Sequence, residues 1–228
     1  MANTFVFSAL ENIVVSSTSR SLSTLRDTVR RNLLNDSDYY TNTDIDNAIN
    51  RAYRKLAEET LAYTINSDQN TVIGTYLYST PANKIQVLQV IYDNFRLEHD
   101  SISTFLNLYS TTTSPTAYVG IPNKWADYML SQIWLCPTPQ NVKTLSILYA
   151  GYPDELVADG DVSVFVKRGD DFLINFATGD LLLRDNELNK SAIYDKKSRE
   201  DLDHTKRLTK NKPMFNDRSR DYDYYGGF

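Results

Sequence analysis

Cysteine is almost missing from this chain: Cys136 is the single one among 228 residues. That excludes an intramolecular disulfide framework and a cysteine-built zinc cluster. Cys136 closes the apolar run Gln132-Ile133-Trp134-Leu135-Cys136, which reads as the setting of a buried, inert thiol. Histidine is nearly as scarce. His99, within Arg96-Leu97-Glu98-His99-Asp100, and His204, in a charged stretch, are the only two. Both read as solvated surface residues, so histidine-dependent catalysis has little to draw on. No Gly-x-Ser-x-Gly elbow, phosphate-binding Walker loop or dinucleotide glycine fingerprint occurs. Positive charge is in deficit as well. The net charge of −5 argues against a general nucleic-acid binder, which needs a basic face to displace counterions from phosphates. Long hydrophobic runs are absent. Residues 1–17 lack a basic leader, and their apolar positions are interrupted by Ser8, Glu11 and Asn12. This makes a poor signal peptide and is too short to span a bilayer. The expectation is a protein without membrane contact, made in a cytoplasm or in a particle assembled there.

The remaining candidates for site chemistry fail on spacing. Asp159-Gly160-Asp161 has a faint likeness to a calcium loop. With Gly160 at the sixth position, however, Val157 and Val166 occupy the third and twelfth, where carboxylates are required. The acidic pairs Asp170-Asp171 and Glu58-Glu59 fall in helical patterns. Adjacent helical side chains diverge by about 100°, so such a pair cannot share one substrate atom. No catalytic, cofactor-binding or metal-binding residue is assigned.

What the chain does hold is ordinary for a globular protein, with 41% hydrophobic and 23% charged residues. Its tyrosine content is less ordinary: 16 Tyr against 9 Phe and 2 Trp. Tyrosine joins apolar area to a polar tip, which suits surfaces buried in one state and wet in another; a tyrosine-rich core rim is the alternative.

Periodicity divides the chain into five stretches. Residues 1–20, with scattered apolar positions and a Ser/Thr run, read as an arm. Residues 21–66 read as a helical pair. Leu22, Leu25, Val29 and Leu33 fall at helical spacing with Arg26, Arg30 and Arg31 on the other side. The second helix is expected to be capped by Thr43, to carry Asp44 and Asp46 in its first turn and to run to about Tyr63. Its stripe is Ile45, Ala48, Ile49, Ala52, Tyr53, Leu56 and Leu61. Residues 67–162 read as an inserted β subdomain, with strands over 71–78, 84–92, 125–129, 133–135 and 144–149, a short helix over 101–109 and turn chemistry at Pro137-Thr138-Pro139. Residues 163–208 return to helix, interrupted at Asn186. The second of these helices is so polar past Ile193 that it is expected to project into solvent or pack on a partner. Residues 209–228 read as a docking tail. The fold class expected is α+β, mainly helical: an antiparallel helix bundle with a small inserted β subdomain and an extended C-terminal tail.

Two features point to binding. Residues 190–212 hold eight Lys/Arg and four acids, a local balance of +4 that leaves −9 for the rest of the chain. A basic end can meet an acidic partner or a neighbouring copy's acidic face, although pairing within a lone solvated helix explains the same pattern. The tail alternates acid with aromatic, ending Asp221-Tyr222-Asp223-Tyr224-Tyr225-Gly226-Gly227-Phe228. Aromatics at a chain end suit a peptide that orders as it docks. The candidate docking residues are therefore Lys196, Lys197, Arg199, Lys206, Arg207, Phe215, Tyr222, Tyr224, Tyr225 and Phe228.

Taken together, three segments resemble the head-to-tail adaptor (connector) proteins of tailed bacteriophages. They are the helix Thr43-Asp44-Ile45-Asp46-Asn47-Ala48-Ile49-Asn50-Arg51-Ala52-Tyr53-Arg54-Lys55-Leu56; the stretch holding Trp134-Leu135-Cys136-Pro137-Thr138-Pro139, Leu145-Ser146-Ile147-Leu148-Tyr149 and Tyr152-Pro153-Asp154-Glu155-Leu156; and the helix that follows at 172–183. The resemblance implies a homo-oligomeric ring, commonly of twelve copies, beneath the portal protein at the capsid–tail junction of the virion. It further implies a C-terminal helix or tail reaching onto the portal, a β part facing a downstream tail or second ring protein, and a lumen through which packaged DNA passes without specific binding. Such a subunit is assembled in the host cytoplasm. Another virion component, such as a tail-completion or baseplate protein, is the alternative reading; a small enzyme with a carboxylate-built site and a nucleic-acid module using residues 190–212 are the others.

Overall fold

A computed structural model of the chain describes residues 19–33, 39–110, 118–165 and 167–210. The chain enters through α1 (Leu22–Leu33), whose Leu22, Leu25, Val29 and Leu33 are all buried. Helix α2 (Asn42–Thr60) follows, and its cap is Thr41 rather than the expected Thr43. Thr41 has extended backbone, so its hydroxyl accepts from the Asp44 N–H while the Asp44 carboxylate accepts from the Thr41 N–H. This reciprocal box satisfies two otherwise orphaned donors. The bond with Thr41 holds the Asp44 carboxyl below its usual range. Asp46 therefore lies past the first turn, where it serves Arg26 instead. The helix stops at Thr60, three residues short of expectation. Leu61 adopts a left-handed conformation (φ 51°) and donates to Ala57 O, the usual way of closing a last turn.

Between the helices runs a two-sheet sandwich. Its elements are β1 (Thr64–Asn70), β2 (Leu77–Ser79), β3 (Lys84–Tyr92), β4 (Phe95–Arg96), β5 (Glu98–His99), α3 (Ile102–Ser110), β6 (Val119–Gly120), β7 (Lys124–Tyr128), β8 (Gln132–Cys136), β9 (Thr138–Pro139) and β10 (Thr144–Gly151). One sheet has the order β1-β10-β3-β4 and the other β2-β8-β7-β5. Val87, Val90, Tyr92, Leu145, Ile147 and Tyr149 of the first meet Tyr78, Trp125, Ile133 and Leu135 of the second in a common core. The sheets are joined along one margin by residues 95–99. Arg96 pairs with Ile91 of β3, Leu97 donates to Val90 O, and Glu98 pairs with Lys124 of β7. At the opposite margin the Gln69 amide donates to Ser79 O at 3.1 Å. Phe105 of α3 packs on the outer face of the second sheet against Ala126, Trp134 and Cys136. Cys136 is buried, in the environment its apolar neighbours implied.

The expected strand over 71–78 is corrected. Only Leu77 and Tyr78 of that span are strand, at the start of β2, and the preceding strand is Thr64–Asn70. Thr-Ile-Asn-Ser-Asp-Gln-Asn has little β propensity of its own. It is extended because β10 supplies a complete ladder, from Thr64↔Ala150 to Asn70↔Thr144, and because Asn66, Asp68 and Asn70 all face solvent. Tertiary pairing overrides propensity here. Residues 71–76, despite Val72 and Ile73, make a turn through Gly74 (φ 76°), whose N–H donates to Pro139 O. Pro137, after a cis bond, leads into β9, which pairs in parallel with β6.

Helices α4 (Lys167–Arg184) and α5 (Leu188–Lys210) complete the chain. Gly169 in the first turn of α4 admits no side chain, since a Cβ there would lie 2.4 Å from the Phe165 Cβ. Between α4 and α5 the backbone turns at Asn186 (φ 60°). Helices α1, α2 and α4 share one core, including Leu25, Ile49, Tyr53, Leu56, Phe172 and Leu181, on which Tyr194 and Leu202 of α5 also pack. The expectation for the polar last helix needs refinement: α5 lies along α4 of its own chain. Ser191, Ser198 and Thr205, seven residues apart, are buried on the contact face. Their hydroxyls donate to Gly179 O, Asp195 O and Asp201 O. Small side chains that satisfy themselves on backbone carbonyls permit a close helix contact with few large apolar groups. Helix and strand account for 44% and 27% of the described residues, so the fold is mixed α+β.

The connector between β10 and α4 is fastened by buried polar groups. Asn50 of α2 donates to Leu156 O and accepts from Leu156 N, both at 2.9 Å. Tyr53 accepts the Val164 N–H, and burial pushes its phenol up to about 12.

Candidate functional site

The basic residues of α5 do not converge on one patch. Lys206 reaches Glu59 of α2 at 2.5 Å, and that bond holds the Glu59 carboxyl below its usual range. Arg199 pairs with Asp195 one turn back at 2.7 Å, and Lys197 lies 4.9 Å above the Tyr194 ring. Lys196 and Arg207 are exposed and have no ion-pair partner among the described residues. Their eleven-residue spacing puts them on one line of the helix, about 16 Å apart. So Lys206 ties α5 to α2, Arg199 and Lys197 are engaged within the helix, and Lys196 and Arg207 face outward. The tail candidates Phe215, Tyr222, Tyr224, Tyr225 and Phe228 lie outside the described residues, as do residues 1–18 of the arm.

The acids are committed to structure. Asp170 is buried and Asp171 pairs with Arg20 at 3.1 Å, so this pair diverges as helix geometry requires. Glu58 accepts from Tyr152 while Glu59 holds Lys206. Asp161 accepts the Val157 and Ala158 N–H groups, and Asp159 binds Arg26 at 2.9 Å. The Asp-Gly-Asp turn thus anchors the start of α1. The His99 ring lies 4.4 Å from that of Trp125, tilted by 51°, and 3.4 Å from Asp127 on an open surface. Among the described residues no group of three or more His, Cys, Asp or Glu could hold a metal ion, and no helix is long and apolar enough to cross a membrane. The groove between α4 and α5, about 370 Å³, is lined by Phe176, Leu183, Leu188 and Ala192 with Asp180. Asp180 is bound by Arg51 and Arg184. This is a contact groove in character: nothing in it pairs a nucleophile with a base.

The most distinctive surface lies elsewhere, at the end of the sandwich remote from the helices. Strand β10 sets the distance. Gly151 at its end donates to Tyr63 O beside α2, and Thr144 at its start is about 24 Å away at some 3.4 Å per residue. At that end three segments are laced together. Thr71 bonds Asn141 O and Lys143 O, Gly74 N donates to Pro139 O, Thr138 N to Tyr118 O and Gln140 N to Gly120 O. They carry Val72, Ile73, Tyr118, Val119, Ile121 and Val142, each 45–63% exposed. Stretches 69–83, 118–123 and 137–142 contain no Asp, Glu, Lys or Arg. Lys143, which follows the third stretch, pairs with Asp93 at 2.8 Å. Clustered exposed apolar residues in a charge-depleted field mark a protein contact surface. The signal was legible as three uncharged runs; their meeting was not, because Val72 and Val142 lie 70 residues apart.

The molecule thus presents an exposed apolar tip on a sandwich, carried by a charged helical base whose elements are tied together by ion pairs. It belongs to the SU10 adaptor protein family, a phage head-to-tail adaptor family whose model matches residues 20–207. No curated protein is similar enough to the chain to count as a match. The resemblance of the three segments is in this way placed on a family, and the protein is a structural adaptor of the virion at the head–tail junction.

Proposed function

We propose that the protein is a ring-forming adaptor seated beneath the portal, joining capsid to tail and prolonging the DNA channel, with no catalytic role. The observation that carries this reading is the division of the chain into a charged helical base and a charge-free apolar tip about 24 Å away. A part with two dissimilar ends suits a position between two different partners. The base meets the portal, through residues 209–228 and the outward-facing Lys196 and Arg207. The tip meets the next tail or ring protein. Side-by-side copies close into a dodecameric ring through heterologous contacts, which require two different flanks per subunit. The net charge of −5 lets packaged DNA slide past without phosphate contacts that would retard it.

The test is electron microscopy of the purified protein, alone and mixed with portal rings from the same genome, for the full chain and for a chain ending at residue 208. The full chain is expected to add a layer of density under the portal and the shortened one to leave portals bare. Equal binding by both would overturn the tail assignment. Portals ignored by both would favour a tail-completion or baseplate role.

A further inference from the structure

Strand β1 has one edge in use and one open. Thr71 N donates to Lys143 O at 2.8 Å just past one end of the β1–β10 ladder, and Gly151 N donates to Tyr63 O at 3.0 Å just past the other. Bonded pairs alternate along an antiparallel ladder. Ile65, Ser67 and Gln69 therefore direct their N–H and C=O groups at β10, and Thr64, Asn66, Asp68 and Asn70 direct theirs away from it. Among the described residues no strand or side chain takes up that second set. Strand β2 borders the same margin in the same state. Leu135 N donates to Tyr76 O and Thr80 N to Ser131 O, so the backbones of Leu77 and Ser79 point away from β8. What crosses from β1 to β2 is the Gln69 side chain, which donates to Ser79 O.

Open edges are normally blunted by lysine, proline, a bulge or brevity. Strand β1 has none of these: it is seven residues long, its register with β10 is unbroken, and Asp68 is its only charge. A segment of matching length lies immediately before the described chain. Asn12-Ile13-Val14-Val15-Ser16-Ser17-Thr18 is uncharged, and four of its seven residues are β-branched, the composition that favours strands. It joins the base at the end that faces the sandwich. Ser21 bridges Val162, and the Arg20 N–H donates to Asp170 in the first turn of α4. There Gly169 lies against Leu56, about one turn from the end of α2. At about 3.3 Å per residue, residues 1–18 reach about 60 Å when extended, far enough to enter a second subunit.

We infer that residues 12–18 of one copy add to the outer edge of β1 in the next, as a fifth strand of that sheet. The inference rests on the ring reading and names the contact that links its neighbours. An arm and an edge are unlike surfaces, so each copy gives one and takes one, as heterologous closure requires. Backbone pairing supplies the attachment. Strand alternation then sets either Val14, or Ile13 with Val15, beside Ile65, which packs half-buried at the margin of the sandwich core.

The test is amide hydrogen exchange on the full chain at rising concentration, alone and with portal rings. Two variants block the two halves of the contact. Val14→Pro with Val15→Pro blocks the arm, because one of two successive N–H groups must face β1. Asp68→Pro blocks the edge and leaves the donors to β10 in place. In the wild type the Asn66, Asp68 and Asn70 amides are expected to exchange at least about tenfold more slowly than in the arm variant, and more slowly still as concentration rises. Mixing the two variants should restore that protection on the arm variant, whose edge is intact. Should Asp68→Pro not fold, the wild type mixed with isotope-labelled arm variant serves as the arm donor instead. Equal exchange in the wild type and the arm variant under every condition would overturn the inference. So would protection independent of concentration, which places the arm on its own edge, or protection of the arm variant by portal rings alone, which places a portal strand there. Rings in micrographs of the arm variant would overturn the exchange and leave the ring reading standing. Concentration-dependent protection without rings would uphold the exchange and overturn the ring.

Discussion

The helical base and the β sandwich solve the problem of charge in opposite ways. In the base, long-range pairs stitch elements together: Arg26 to Asp46 and Asp159, Arg51 to Asp180, Lys206 to Glu59, and Arg20 to Asp171. Arg26 is 11% exposed, and its bond with Asp46 raises its pKa further. In the sandwich the ion pairs sit at the margins, Lys124 with Asp100 and Lys143 with Asp93, while the core is apolar and the three stretches that meet at the far end contain no charged residue. Charge used inward fixes how helices sit on one another. Charge withheld from a surface leaves it free to be covered by another protein without desolvation cost. The run of basic residues is the more visible signal in the sequence, and the uncharged runs are the quieter one.

Substitutions can break this contrast at several points, with effects of decreasing size on stability. The largest is expected in the base core. Phe172→Ala removes a ring packed among α1, α2 and α4 and should cost about 3–5 kcal/mol, read as a shift in the urea midpoint. Next is Asn50→Ala, which leaves Leu156 N–H and C=O unsatisfied in a buried site; about 1–3 kcal/mol is expected, with little salt dependence. Thr41→Ala deletes one half of the α2 capping box and should cost about 1 kcal/mol by thermal melting. Ile73→Asp and Val142→Asp, on the tip, should change stability by less than about 0.5 kcal/mol, because they replace exposed side chains. A large loss there would mean that the tip is part of the fold and not a surface held in reserve.

Much of the base was legible in the sequence because a helix writes its buried face into its own periodicity. Leu22, Leu25, Val29 and Leu33 and the stripe of α2 needed no knowledge of their partners. Strands β3 and β10 declared themselves by β-branched alternation. Strand β1 did not, since what makes Thr64–Asn70 a strand is the edge of β10 some eighty residues later. The cap of α2 was misplaced by two residues because Thr41 and Thr43 are alike in type, and only the reach of Thr41 to Asp44 separates them. The polar helix α5 was read as projecting into solvent or packing on a partner, but Ser191, Ser198 and Thr205, spaced by seven, let it lie against its own neighbour. The tip escaped notice for a topological reason: Ile73, Ile121 and Val142 meet only after the sandwich has formed.

The most direct test of the adaptor account is made in the phage itself. A genome carrying Ile73→Asp with Val142→Asp is grown, and the particles are counted by electron microscopy alongside the melting temperature of the purified variant. The account predicts an unchanged melting temperature and heads that lack tails. Tailed particles in wild-type numbers would contradict it, and would remove the apolar tip from the head–tail junction.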